Sequence, residues 1–142
     1  MWRGLLLGMV ITTVSFANAL ADEPEVSFEG KWKLESMRMA GQEFATLLGE
    51  VVLEIKGDRY TSTINGTQQD KGKIEIDTTV TPARIKVISD NETAPDLVGI
   101  GKIEEGKAIF ALRAEGQGDR PSTFEPNDDD ASLMNSRYSK AE

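Results

Sequence analysis

Between residues 31 and 87 this chain repeatedly places side chains of one character at every second position. Trp32 and Leu34 alternate with Lys31, Lys33 and Glu35; Val51, Leu53 and Ile55 alternate with Val52, Glu54 and Lys56. Tyr60, Ser62 and Ile64 alternate with Arg59, Thr61 and Thr63, and Ile74 and Ile76 with Lys73, Glu75 and Asp77. Ile85 and Val87 alternate with Arg84 and Lys86. A strand turns successive side chains to opposite faces, so this period specifies antiparallel strands with one buried and one solvated face.

The breaks between the runs carry turn chemistry. Gly57-Asp58 separates two strands, and Asn65-Gly66 is a strong hairpin signal, because a type I′ turn needs positive φ at both central residues. Glu105-Gly106 divides Leu97–Glu104 from Lys107–Ala114, while Gly99 and Gly101 mark a bulge or a sharp bend in a closing sheet. Thr81-Pro82 fits an entering or edge strand, and Leu133 to Ala141 fits a final one. Gln42 to Leu48 alone has helical spacing, with Phe44, Leu47 and Leu48 on one side. Ser89 to Asp96 is a polar loop, and the Gly-, Asp- and Pro-rich stretch from Glu115 to Ala131 is expected to be a long, mobile one. About eight short strands with tight links predict an all-β, single antiparallel up-and-down barrel with one short helix. The alternative is a β-sandwich, which needs longer Greek-key crossovers.

The first 21 residues have a different logic. Arg3 supplies a positive start, Leu5 to Phe16 an apolar stretch, and Ala17-Asn18-Ala19 and Ala19-Leu20-Ala21 small-x-small cleavage sites. Residues 1–21 are therefore expected to be a signal peptide and 22–142 the barrel domain, secreted or periplasmic. The apolar stretch is shorter than the ~20 residues a membrane span requires. Cleavage would remove Arg3 and no acid, so 16 basic against 24 acidic residues, a net −8, becomes −9.

That acidic balance argues against nucleic acid, which is bound by clustered Lys and Arg. The chain has no His and no Cys, which removes imidazole bases, thiol nucleophiles, Cys/His zinc sites and disulfides. No nucleophile–base pair is recognisable and no cofactor or metal is implied, so the expectation is a protein that is not an enzyme. Asn127-Asp128-Asp129-Asp130 lacks the spaced ligands and glycine turn of a calcium loop and is expected to be a solvated acidic loop.

Gly30-Lys31-Trp32, opening the first strand, resembles the Gly-x-Trp signature of lipocalin-like barrels. The stretches 28–34, 53–61, 81–85, 97–101 and 120–124 are similar, in order, to a family of exported lipocalin-like proteins known mainly from planctomycete bacteria. The chain departs from that pattern in lacking a cysteine within Lys107–Ala114 and in its acidic run at 127–130. The resemblance implies an exported barrel and no particular activity. It also implies that Trp32 plugs the closed end beneath an arginine, for which Arg137 is the first candidate and Arg120 the alternative. Arg120-Pro121-Ser122-Thr123-Phe124 is expected to tie the long loop to the barrel rim.

The interior is then the candidate ligand site, lined by Leu34, Leu53, Ile55, Tyr60, Ile64, Ile74, Ile76, Ile85, Val87, Ile100, Phe110 and Leu112, with Tyr60, Ser62 or Arg38 as polar anchors. Without Trp2 and Phe16 only four Phe, two Tyr and Trp32 remain, so little bulk fills it. A small apolar ligand is one expectation. The other is a filled barrel that presents Ser89–Asp96 and Glu115–Ala131 to an envelope protein or other partner.

Overall fold

The computed structural model describes residues 27–141; the expected leader lies outside them. Strands β1 (Gly30–Met39), β3 (Val51–Lys56), β4 (Arg59–Ile64), β5 (Thr67–Asp77), β6 (Ala83–Ser89), β7 (Leu97–Glu104), β8 (Lys107–Ala114) and β9 (Leu133–Lys140) follow one another as antiparallel neighbours. Pairing of β1 with β9, from Trp32↔Lys140 to Met39↔Met134, closes the sheet. The result is the expected up-and-down barrel of eight strands, lipocalin-like in architecture, rather than a sandwich.

Local chemistry explains the joints. Asn65 and Gly66 have φ of 52° and 86°, and Glu105 and Gly106 of 55° and 79°, the doubly positive φ of type I′ hairpins. At Gly99 the neighbouring strand approaches so closely that a Cβ would lie 1.8 Å from the Ala111 carbonyl oxygen. Only glycine permits the strand to bend there. Gly101 leaves space for the Phe110 ring, whose nearest atom would sit 3.0 Å from an added Cβ.

The segment expected to be helical divides in two. Ala40 and Gly41, with φ of 55° and 77°, reverse the chain so that Gln42–Glu43 (β2) pairs back on Met39 and Arg38. The helix α1 is reduced to Ala45–Leu48. The Glu43 carboxylate fixes this turn, accepting from Ser36 Oγ at 2.7 Å, Met37 N at 2.8 Å and Ala45 N at 2.9 Å. Those bonds, the Met37 amide first and then the Ser36 hydroxyl, hold its pKa below the ordinary Glu value.

Two apolar clusters result. The main one fills the barrel with Trp32, Leu34, Ile55, Ile74, Ile85, Phe110, Leu112 and Tyr138 among others. A second lies on the outer face, where Ile100, Ala111 and Leu133 are buried beneath Phe124. Ile100 is therefore not an interior residue: it pairs with Ala111 on the outward register, while Gly99 and Gly101 take the inward positions. The segment from Glu115 to Ala131, expected to be mobile, is instead a strap pinned over this second cluster. Arg120 donates to the carbonyls of Gly99 at 2.7 Å and Ile85 at 3.1 Å, and Asn135 Nδ2 donates to the Phe124 carbonyl at 3.0 Å. Arg113 engages the Asp119 carbonyl, Ser132 Oγ and the Asp130 carboxylate. Lys102 Nζ stands 4.7 Å from the Phe124 ring centroid.

Candidate functional site: the barrel cavity

The strand directions give the barrel two different ends. At one, the short β3–β4 and β7–β8 turns meet the incoming residues 27–29; at the other lie α1, the 65–66 hairpin and the longer connections after β6 and β8. The first end is plugged. Trp32 is 2% exposed, and its indole N–H donates to the Phe28 carbonyl at 2.8 Å, drawing Phe28 across the opening. Phe28 packs on Phe110 at 5.6 Å, and Phe110 meets Tyr138 edge-on at 5.8 Å, a stack of rings in favourable geometry.

The cation on Trp32 is not the one expected. Lys140 Nζ stands 4.3 Å from the indole centroid and donates to the Glu29 carbonyl at 2.9 Å. Arg137 is exposed and outward-facing, in register with Ile109 and Ser36, because inward positions on β9 fall to Ser136 and Tyr138. Arg120 serves the strap instead. Gly30 suits this position because its φ is +122°, a backbone conformation that L side chains rarely adopt.

Above the plug is a cavity of about 250 Å³. Of the expected lining residues, Leu53, Tyr60, Val87 and Phe110 reach it, with Ser62, Ile74, Ile85 and Leu112. Leu34 and Ile55 are buried in the packed core, and Ile64 and Ile76 pack against it; none of the four lines the cavity. Arg38 is no anchor: it lies on the outer face and pairs with Asp128 at 3.3 Å. The acidic run is thereby tied down at Asp128 and, through Arg113 and Ser132, at Asp130.

Six lining residues were not anticipated: Met37, Asp70, Leu97, Met134, Ser136 and Tyr138. A register shift between Leu34 and Ser36 turns Met37 inward, while Asp70 lies opposite Ser62 on the inner face in phase with Gly72, Ile74 and Ile76, the β4–β5 shift falling beyond it between Ser62 and Thr63. A single-residue shift exchanges the faces of all that follows, so alternation from Trp32 and Leu34 misplaces Met37. Stepping back by twos from Ile76 and Ile74, in contrast, reaches Asp70, a polar residue in a polar run that apolar patterning passes over. For β9, Met134-x-Ser136-x-Tyr138 held the inward signal, visible once Tyr138 is taken as its anchor.

The polar groups of this cavity are of two kinds. Asp70 is at the centre of a network, accepting from Tyr60 Oη at 2.8 Å and from Ser89 Oγ at 2.6 Å. Burial, reinforced by the Asp70 carboxylate, raises the Tyr60 phenol well above its ordinary pKa. Tyr138 and Ser136 differ: they are 8% and 5% exposed, line the cavity, and have no side-chain hydrogen-bond partner among the described residues. Desolvation alone pushes the Tyr138 phenol up to about 12. No group of three or more carboxylates that could hold a metal ion occurs among the described residues. No protein-family model, curated protein or solved structure matches the chain.

Proposed function

We propose that this chain is a binding protein that holds one small, largely apolar molecule inside the barrel, outside the cytoplasm. The observation that carries the reading is the cavity of about 250 Å³ lined by aliphatic and aromatic side chains, into whose lining two buried hydroxyls, Tyr138 and Ser136, are built with no side-chain partner among the described residues. Buried polar groups without partners are costly, roughly 1–3 kcal/mol each, and a bound ligand or water offsets that cost. Natural ligand sites combine apolar walls with a few placed polar groups in this way. A volume just below the ~300 Å³ at which drug-sized sites begin favours a compact ligand or a short chain. The leader pattern over residues 1–21 supports export.

The alternative, a barrel displaying loops to a protein partner, has less behind it. Large apolar side chains exposed among the described residues are Leu47 at 65% and Val80 at 38%, which lie at opposite ends of the barrel and form no continuous patch. Calorimetric titration with 1-octanol tests the binding reading. Saturable binding that Val87→Phe abolishes, with cooperative folding retained, supports it; absence of heat and of any thermal shift for octanol and similar small apolar probes overturns it.

A further inference from the structure

We infer that the cavity selects a ligand carrying a protonated amine and rejects carboxylates, with Asp70 as the recognising group; this rests on the binding reading above. Asp70 is the one charged side chain lining the cavity. A carboxylate offers about four acceptor positions. The Tyr60 and Ser89 hydroxyls occupy one on each oxygen. Both donors are neutral, so they orient the carboxylate without cancelling its charge. Among the described residues no Lys or Arg nitrogen lies within 4.0 Å of it, and Arg59 of the adjacent strand is engaged with Asp90 at 2.7 Å.

Tyr60 itself is 5% exposed and held by the β3–β4 and β4–β5 ladders, so the carboxylate is presented from a rigid wall rather than a flexible loop. An ammonium group placed against Asp70 supplies the missing counter-charge while its hydrocarbon tail lies along Leu53, Val87 and Leu112. A fatty-acid carboxylate would bring a second negative charge close to Asp70 in the same partly enclosed space, where like charges disfavour each other. The net charge of −8 acts in the same direction at longer range.

Calorimetric titrations of the full chain at neutral pH with octylammonium chloride, 1-octanol and sodium octanoate, which share one tail, test this. Octylammonium is expected to bind at least tenfold more tightly than octanol, and octanoate at least tenfold more weakly. In Asp70→Asn the preference for the amine over octanol should be lost, the two binding within a factor of about two of each other. Raising ionic strength on the unmodified protein should weaken the amine and leave octanol unaltered, which tests the charge without relying on the variant's folding. Octanol binding with no preference for the amine, or a preference that survives Asp70→Asn, overturns the inference and leaves the binding reading intact. Failure of all three probes overturns both.

Discussion

Lys140 Nζ lies 4.3 Å from the centroid of the Trp32 indole and donates to the Glu29 carbonyl at 2.9 Å, so the last strand of the barrel caps the tryptophan of the first. The pair joins the two ends of the described chain at the plugged end of the barrel. Lys140→Met, which keeps the stem and removes the charge, is expected to cost about 0.5–1 kcal/mol, the range for an exposed cation–π contact. Trp32→Ala should cost about 3–5 kcal/mol as a large-to-small core change. Arg137→Ala, on the outer face, should stay within about 0.5 kcal/mol. Urea denaturation of the three variants checks the order; an Arg137→Ala loss exceeding that of Lys140→Met would contradict the assignment.

Gly99 sets how sharply β7 bends. Gly99→Ala would drive a methyl into the Ala111 carbonyl at 1.8 Å, so a loss of about 3 kcal/mol is expected, at the upper end for overpacking. A denaturation midpoint equal to the parent's would show that the strands can separate at no cost.

The two tyrosines of the chain, Tyr60 and Tyr138, both have phenols raised above the ordinary value of 10.0. For an acid whose folded pKa is raised, the contribution to stability is full below the unfolded value and is lost as pH rises through the folded one. Absorbance of tyrosinate should thus stay low through pH 10–11 in the native protein and appear together with alkaline unfolding. A reversible titration near pH 10 with the fold intact would refute the burial of both hydroxyls.

Glu43 has the opposite sign. Its folded pKa is depressed below 4.5, so its contribution is present above that value and lost as pH falls through the depressed one. Glu43→Gln should destabilise the protein at pH 7, and the difference from the parent should narrow on acidification below pH 4. Thermal melts at pH 7, 5 and 3 measure this; a gap that stays constant would place the origin of the effect outside the carboxylate's ionisation.

Arg120→Ala removes the donor to the Gly99 and Ile85 carbonyls and should cost about 1–2 kcal/mol. If that bond pins the strap, hydrogen exchange at residues 119–124 should accelerate more than exchange in β3 or β4. Equal acceleration everywhere would instead indicate a global loss of stability.

Much of the barrel is legible in the residues themselves. Leu97–Glu104 and Lys107–Ala114 are bounded as their turn residues suggest, since Glu105-Gly106 can hardly do anything but reverse the chain. The inward positions Leu53, Tyr60, Ile74, Ile85 and Val87 follow from alternation because strand geometry fixes it locally. Ile100 breaks the rule for a reason no local pattern holds: an apolar residue on the outer face is equally buried once the strap lays Phe124 over it. Gln42–Glu43 became a strand because the Ala40-Gly41 reversal and the Glu43 carboxylate outweighed a weak helical spacing.

The sequence by itself determined antiparallel strands, their hairpins and the inward face of Trp32, because these depend on φ preferences and on a period of two within a few residues. Tertiary structure decided the rest of the site. Lys140 rather than Arg137 covers Trp32 because the β1–β9 closure sets the register of the last strand. Met37 enters the cavity because a one-residue shift after Leu34 inverts the face of its strand. Such shifts are selected by the energy of closing and packing eight strands at once, and that energy belongs to the assembled barrel rather than to any segment of it.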